Sequence, residues 1–401
     1  MKRTLYPLLL LLAVSCAGGS GRTAAEPRPD TLSVYIVGDI MSHGKQMRSA
    51  HAEYLKQHPG ASADDPYAYD WSCFFQPLED RIGGADVAVG NVEFPFAGPP
   101  YNGYPSFSAP ESYLDYLVEV GFDVMLAANN HIFDQGKPGV ERTLADYREM
   151  EAAGKARFTG ISGSEEEDAA HYPLTIEASG VRLSFVNFTY GTNQSIPGKW
   201  PRVNRIKPDE IRRAIRLARE RDSADIVIAL PHWGIEYDTR HDKDQEMLAE
   251  LMIEAGADAV VGSHPHRVQD MEIRQAMAAD STVRTVPVFY SLGNAVSNQN
   301  DPEGRLELAV TLLIEKHPDG RIRMLEPRWE YLWCTKAGMI LDSYAVIPVL
   351  EYLDRPEAWK SVPEDYDLMV KTHEKVKRTS RIDDWSKPVP DDEENPDAGS
   401  H

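Results

Sequence analysis

The sequence predicts an α/β fold: two mixed β-sheets packed face to face, with helices outside. Three observations carry this. Short continuous apolar runs recur between Leu32 and Leu292, the pattern of strands buried on both faces. Helix-like segments alternate with them, which points to a mostly parallel sheet. Two turn signals, Ser179-Gly180 and Pro318-Asp319-Gly320, sit between β-like runs and add antiparallel hairpins.

At the N-terminus, Lys2 and Arg3 precede an apolar run from Leu5 to Val14. It is too short to span a bilayer and fits the apolar region of a signal peptide. Ala13-Val14-Ser15-Cys16 closes it and resembles a bacterial lipobox, with Ala13 where leucine is usual. Residues 1–16 then form a signal peptide with lipobox, and Cys16 becomes a lipidated mature N-terminus. The alternative is an ordinary signal peptide with an incidental cysteine. Residues 17–31, rich in Gly, Ser, Ala and Pro, suit a flexible tether. The expected protein is exported and hangs from the cell envelope, periplasmic or at the cell surface, by its lipid.

The strands follow, and each ends in polar residues. Leu32 to Gly38 ends at Asp39, and Asp86 to Gly90 ends at Asn91 and Glu93. Asp123 to Ala128 ends at Asn129, Asn130 and His131, and Asp225 to Leu230 ends at His232. Asp258 to Gly262 ends at Ser263, His264 and His266, and Val286 to Leu292 ends at Gly293 and Asn294. Between them, helices are expected over Pro138 to Ala152, where a proline suits the first turn, Pro208 to Arg221, and Asp244 to Ala255. Tyr172 to Ala178 with Val181 to Phe188, and Arg305 to Lys316 with Arg321 to Tyr331, make the hairpins. The acidic run Glu165 to Asp168 suits a solvated loop.

Without an internal repeat or composition break, one large domain is expected over residues 32–300. Residues 301–360 complete it with C-terminal strands and a helix. Residues 361–401 form an extension whose acidic, Pro-rich tail, Asp391 to Glu394 with Asp397, is expected to be disordered. The net charge of −21 opposes nucleic-acid binding. Of three cysteines, Cys73 and Cys334 either pair or stay as two packed thiols, and no zinc-type spacing exists.

Ligands of open α/β sheets bind beyond the carboxyl ends of strands, where the special residues of this chain recur. His264-Pro265-His266 puts two histidines on one rigid loop, either as metal ligands or as a solvated pair. His131 has Asp134 three residues on, a carboxylate that fixes a tautomer or caps a helix. Gly38-Asp39 is otherwise a turn, Glu93 a loop acid, and His232 a core histidine beside Trp233. Together, oxygen ligands, an amide and histidines describe a dinuclear site, with cations about 3.5–4 Å apart that clamp an oxyanion and activate water.

The strings VGDIMSHG (37–44), GNVEFPF (90–96), AANNHIFDQG (127–136), NFTYGTN (187–193), PHWGIEY (231–237), GSHPHRVQ (262–269) and YSLGNAVSN (290–298) resemble the CapA family, the poly-γ-glutamate capsule biosynthesis proteins, in the calcineurin-like metallophosphoesterase superfamily. The resemblance covers roughly Leu32 to Asn298. It implies a four-layer αββα sandwich with Asp39, Glu93, Asn130, His232, His264 and His266 as ligands for one or two divalent ions (Mn, Zn or Fe). It implies His131, with Asp134, as general acid, and Tyr190, Asn193 and Asn294 as cleft lining. His43 and Asn91 are further metal or substrate candidates.

Like CapA-like proteins, the chain departs from the wider superfamily pattern: Met41 stands where a histidine is usual and Glu93 where a bridging aspartate is usual. The implied function is synthesis, export or attachment of poly-γ-glutamate or a related exopolymer, through a hydrolase or transferase site. Alternatives are an envelope metallophosphodiesterase and a non-catalytic polymer-binding assembly factor. Partners are an anionic polymer or small-molecule substrate, a membrane capsule synthase, and the membrane through the lipid. Arg202, Arg205 and Arg267 are candidates to offset the charge of an anionic ligand, against a default of solvated surface arginines.

Overall fold

The computed structural model describes residues 30–277, 283–360 and 363–385. The signal peptide, the lipobox with Cys16, the tether up to residue 29 and the acidic tail lie outside the described residues. In chain order the first strands are β1 (Asp30–Ile40), β2 (Val87–Val92), β3 (Val124–Leu126), β4 (Arg157–Thr159), β5 (Ile161–Ser162), β6 (Leu174–Ala178), β7 (Val181–Thr189) and β8 (Arg202–Val203). Then come β9 (Ile226–His232), β10 (Ala259–Val261), β11 (Met271–Met277), β12 (Val283–Phe289), β13 (Leu306–Lys316), β14 (Ile322–Met324), β15 (Arg328–Thr335) and β16 (Ala345–Pro348). The helices are α1 (Gly44–Leu55), α2 (Glu79–Ile82), α3 (Ser112–Val120), α4 (Gly136–Ala152), α5 (Glu165–His171), α6 (Pro208–Glu220), α7 (Lys243–Ala255), α8 (Val349–Tyr352) and α9 (Pro363–Ser380).

One sheet runs β16-β15-β13-β1-β2-β3-β4, with β14 also paired to β13. Its half from β1 to β4 is parallel, and β13 joins β1 antiparallel. The other sheet runs β11-β12-β10-β9-β7-β6, parallel in the middle with antiparallel β6 and β11 at its edges. Both predicted hairpins are present, as β6–β7 and as β13 with β14 and β15.

The period-2 alternation of strand side chains sorts the core into layers. In β1, Leu32, Val34 and Ile36 join Phe185, Ile228 and Phe289 between the sheets, while Tyr35 and Val37 turn to the opposite face. That outer face is covered by α1 to α4, with Met47, Ile82, Leu117 and Leu144 packed into it. The outer face of the second sheet carries Val186, Val227 and Val260 under Ile211 and Ile215 of α6 and Met252 of α7. The order of layers is therefore helix, sheet, sheet, helix.

Three elements correct or extend the sequence expectations. Glu165 to Asp168 is not a loop but opens α5; the Ser164 hydroxyl accepts the Glu167 N–H, and the acids occupy the first turn, where the helix dipole favours them. The run misled because α5 buries no residue and so shows no apolar stripe. Within the extension expected from residue 361, Met369 and Val376 of α9, with Ile382 beyond it, pack into the inter-sheet layer beside Tyr331. Cys73 and Cys334 are free thiols. Among the described residues no helix is long and apolar enough to cross a membrane.

The sheets are stitched together at the carboxyl end of β1. The Asp39 N–H donates to Gly293 O, the Ala295 N–H to Asp39 O, and the Met41 N–H to Val296 O. Gly38 permits this approach, since a Cβ there would stand 2.2 Å from Gly293 O.

Candidate metal centre

That stitched end collects the polar residues that close the strands. Asp39 is fully buried; its Oδ1 accepts from Asn91 Nδ2 at 2.7 Å and its Oδ2 from the His264 N–H at 3.2 Å. Glu93, past the end of β2, is also fully buried, and neither carboxylate oxygen has a hydrogen-bond partner. His232 ends β9. Its Nε2 lies 2.7 Å from Asn130 Oδ1 and 3.5 Å from Glu93 Oε1, and its Nδ1 lies 3.0 Å from the Ser263 hydroxyl.

His264 and His266 come from the loop after β10, where both have a left-handed backbone, with φ of 100° and 55°. Non-glycine residues hold this conformation only when surroundings enforce it, and such strain concentrates at functional sites. His266 Nδ1 stands 3.1 Å from Asp39 Oδ2 and 2.9 Å from Asn294 Oδ1, while its Nε2 is 3.7 Å from Glu93 Oε1. The His264 ring is 4.7 Å from that of His232 and 4.4 Å from that of Tyr190, between centroids.

Two groups of buried side chains bring their ligand atoms within 4.8 Å of one another: Glu93 with His232 and His264, and Asp39 with Glu93 and His266. Glu93 belongs to both. Electrostatics agree with a place for cations. Burial, with the Asp39 carboxylate close by, holds Glu93 well above the usual carboxylate range. Burial also pushes Asp39 up, but the hydrogen bond from His266 and the closeness of the His266 and His232 rings outweigh it, so its carboxyl lies below its ordinary value. Burial drops His232 to about 3 and His264 well below the usual range, so both imidazoles are neutral, as metal ligands must be. The donor set fits: both Glu93 oxygens, Asn91 Oδ1 and His264 Nδ1 are buried without a partner.

Beside this centre, His131 Nδ1 lies 2.7 Å from Asp134 Oδ2, and the same oxygen accepts the Phe107 N–H at 2.8 Å. The Phe107 ring meets His131 edge-on, with centroids 4.6 Å apart. Asn193 spans the gap: its N–H donates to Asn130 O at 2.8 Å, and its amide nitrogen is 3.4 Å from His131 Nε2. Asn294 is buried under His266 and donates to Gly304 O, and Tyr190 stays half-exposed over His264.

Some candidates sit elsewhere in the arrangement. His43 Nδ1 lies 3.2 Å from Asn298 N and 3.0 Å from Gln46 Oε1, so in either tautomer that nitrogen has a partner, the Asn298 N–H when it accepts or the Gln46 amide oxygen when it donates. Asn91 reaches Asp39 and, at 3.3 Å, His232 Nδ1. Met41 is buried in the outer apolar layer. Arg267 is buried and tied to His266 O and Asp301, so it braces the histidine loop.

Sequence reasoning gave no role to four participants. Ser263 orients His232, and Phe107 backs His131. Tyr237 stands 6.1 Å from the His266 ring between centroids, and Glu307, near the start of β13, accepts the Gly38 N–H from below. Tyr237 closes the PHWGIEY string and Ser263 follows a strand, so both were within reach. Glu307 and Phe107 gave no local signal.

Residues 33–299 match the family described as "Bacterial capsule synthesis protein PGA_cap". The capsule biosynthesis protein CapA of Bacillus anthracis is 27% identical over 308 residues, covering 73% of this chain and 67% of that protein. The PGA biosynthesis protein CapA of Bacillus subtilis (strain 168) is 28% identical over 310 residues, covering 74% and 71%. Among solved structures, the NAD nucleotidase NadN of Haemophilus influenzae aligns over 88% of this chain and 61% of its own, at 11% identity and a TM-score of 0.41.

Proposed function

The chain belongs to the bacterial capsule synthesis PGA_cap family, and on that premise we propose that it is a metal-dependent hydrolase or transferase of the cell envelope, acting on an anionic polymer of the poly-γ-glutamate kind during its synthesis, export or attachment. The observation that carries this is Glu93, fully buried, without a hydrogen bond, and common to two carboxylate–histidine groups. Asp39, Glu93 and His266 would hold one divalent cation, and Glu93, His232 and His264, with Asn130, a second. Such ions supply Lewis-acid polarisation of a carbonyl or phosphoryl oxygen and a nucleophile at neutral pH.

The chain's own groups do the rest. With Asp134 accepting from Nδ1, His131 keeps Nε2 for exchanging a proton with the leaving group. Phe107 and the Asp134 bond fix the ring, and Asn193 orients a polar group between His131 and Asn130. Tyr190 and Tyr237 give the cleft half-exposed rings against which a chain can lie. Export with a lipid on Cys16 would hold this cleft at the membrane, within reach of a capsule synthase.

A second reading, a non-catalytic assembly factor, draws support from Met41, which packs in the outer apolar layer, and from His43, whose Nδ1 is taken up by Gln46 or Asn298. Elemental analysis of the purified protein, beside Asp39→Ala and His266→Ala, separates the two. About two metal equivalents in the wild type, lost in the variants, is the expected outcome, followed by turnover of a γ-glutamyl oligomer or a generic phosphodiester with added manganese. No metal after reconstitution with manganese, zinc or iron would sink the hydrolase reading and leave the assembly factor.

A further inference from the structure

A partly open cavity of about 100 Å³ lies between α5, the end of β7 and α6, outside the metal centre. It has room for several waters or one oxyanion group. Four arginines line it: Arg202, Arg205, Arg213 and Arg221. Two are engaged by acids, Arg221 with Asp222 at 2.6 Å and Arg202 with Asp168 at 3.4 Å. The remaining wall carboxylate, Glu210, pairs with Lys207 at 2.8 Å. Arg205 and Arg213 have no acidic partner within ion-pair distance among the described residues. In a chain of net charge −21, this is a local excess of guanidinium.

A second observation is independent of charge. The Tyr172 hydroxyl and Asn204 Oδ1 are buried on this wall without hydrogen-bond partners. Buried polar atoms are rarely left so unless water or an ion completes them. The hydroxyl can donate, and with the guanidinium groups beside it makes the donor set that suits carboxylate and phosphate. Asn204 Oδ1, an acceptor, calls for a water beside the anion.

The cavity is also linked to the centre. Arg205 Nη1 donates to the Thr192 hydroxyl at 3.1 Å, one residue before Asn193, which bonds Asn130 and His131. We propose that this cavity is an anion subsite, taking one carboxylate or phosphate of an extended ligand whose neighbouring unit lies at the metal centre, with Arg205 and Arg213 as its charge partners. The extended ligand rests on the proposed function; anion binding in the cavity does not.

The test is calorimetric titration of the full chain in EDTA at constant ionic strength, with inorganic phosphate and with a γ-linked glutamate oligomer. Saturable binding of both, in competition, is expected, weakened at least tenfold by Arg205→Ala and by Arg213→Ala. Arg213 is exposed on α6, so its loss does not threaten the fold. Phosphate binding no tighter than that of chloride, or unchanged in both variants, would overturn the proposal and leave a water-filled cavity. Phosphate binding without competition from the oligomer would overturn its polymer part and mark a free-phosphate site. Because the titration is run without metal, a failure of the hydrolase reading does not touch it.

Discussion

Asn130 Oδ1 sits 2.7 Å from His232 Nε2, joining the segment after β3 in one sheet to the end of β9 in the other. An amide oxygen only accepts, so His232 carries its proton on Nε2, and its Nδ1 takes the Ser263 hydroxyl at 3.0 Å. Two candidate ligands therefore hold each other before any cation arrives. Burial holds His232 at about 3, so its imidazole in this contact is neutral at any ordinary pH.

Asn130→Ala removes a candidate ligand and leaves the His232 Nε2–H unpaired. The expected loss is about 1–3 kcal/mol of stability and about tenfold or more in metal affinity. Chemical denaturation and metal titration measure the two separately. Full metal retention at limiting manganese would remove Asn130 from the ligand set.

His131→Ala should lower turnover by about 10²–10⁴-fold with metal content kept, the range for loss of a general acid. Asp134→Asn should cost less, since the ring and Nε2 remain while the Nδ1 partner becomes an amide held by the Phe107 N–H. Equal turnover in wild type and His131→Ala on every substrate would rule out this role.

The strand ends were legible because each apolar run stops at a polar residue of ligand type, and ligands of such sheets bind beyond the carboxyl ends of strands. Asp39, Glu93, His232 and His266 could be named for that reason. What faces them from within a strand could not. Glu307 has the same local pattern as any solvated strand residue, and only the antiparallel pairing of β13 with β1 carries it under Gly38. Helix α5 hid for the opposite reason: its stability comes from a cap and a dipole, which leave no apolar period to detect.

Glu307 separates acceptor from charge. Burial raises its carboxyl well above the usual range despite the Gly38 N–H, and its second oxygen has no partner. Glu307→Gln keeps an acceptor for Gly38 and removes the cost of ionisation, so stability at pH 7–8 should be equal or higher. Glu307→Ala strands the Gly38 N–H and opens a cavity, for a loss of about 2–4 kcal/mol. Denaturation of both variants checks this, and a glutamine variant as unstable as the alanine one would mean that the carboxyl acts in its charged form.

Asp146 on α4 gives the clearest pH dependence away from the centre. Burial, reinforced by the Glu111 carboxylate, raises its carboxyl to about 7, and its Oδ2 has no partner. Below the ordinary aspartate value of 3.8, folded and unfolded chains both hold the proton. Between there and about 7 the folded chain keeps a proton that the unfolded chain releases, so stability falls as pH rises through this window and levels off above it. Asp146→Asn removes the effect: the variant should match the wild type near pH 4 and exceed it at pH 8 by about 1 kcal/mol, a figure reduced for solvent screening of a partly exposed group. Melting curves across this range decide the matter, and an Asp146→Asn advantage that is constant with pH would mean that the gain comes from packing and not from the proton.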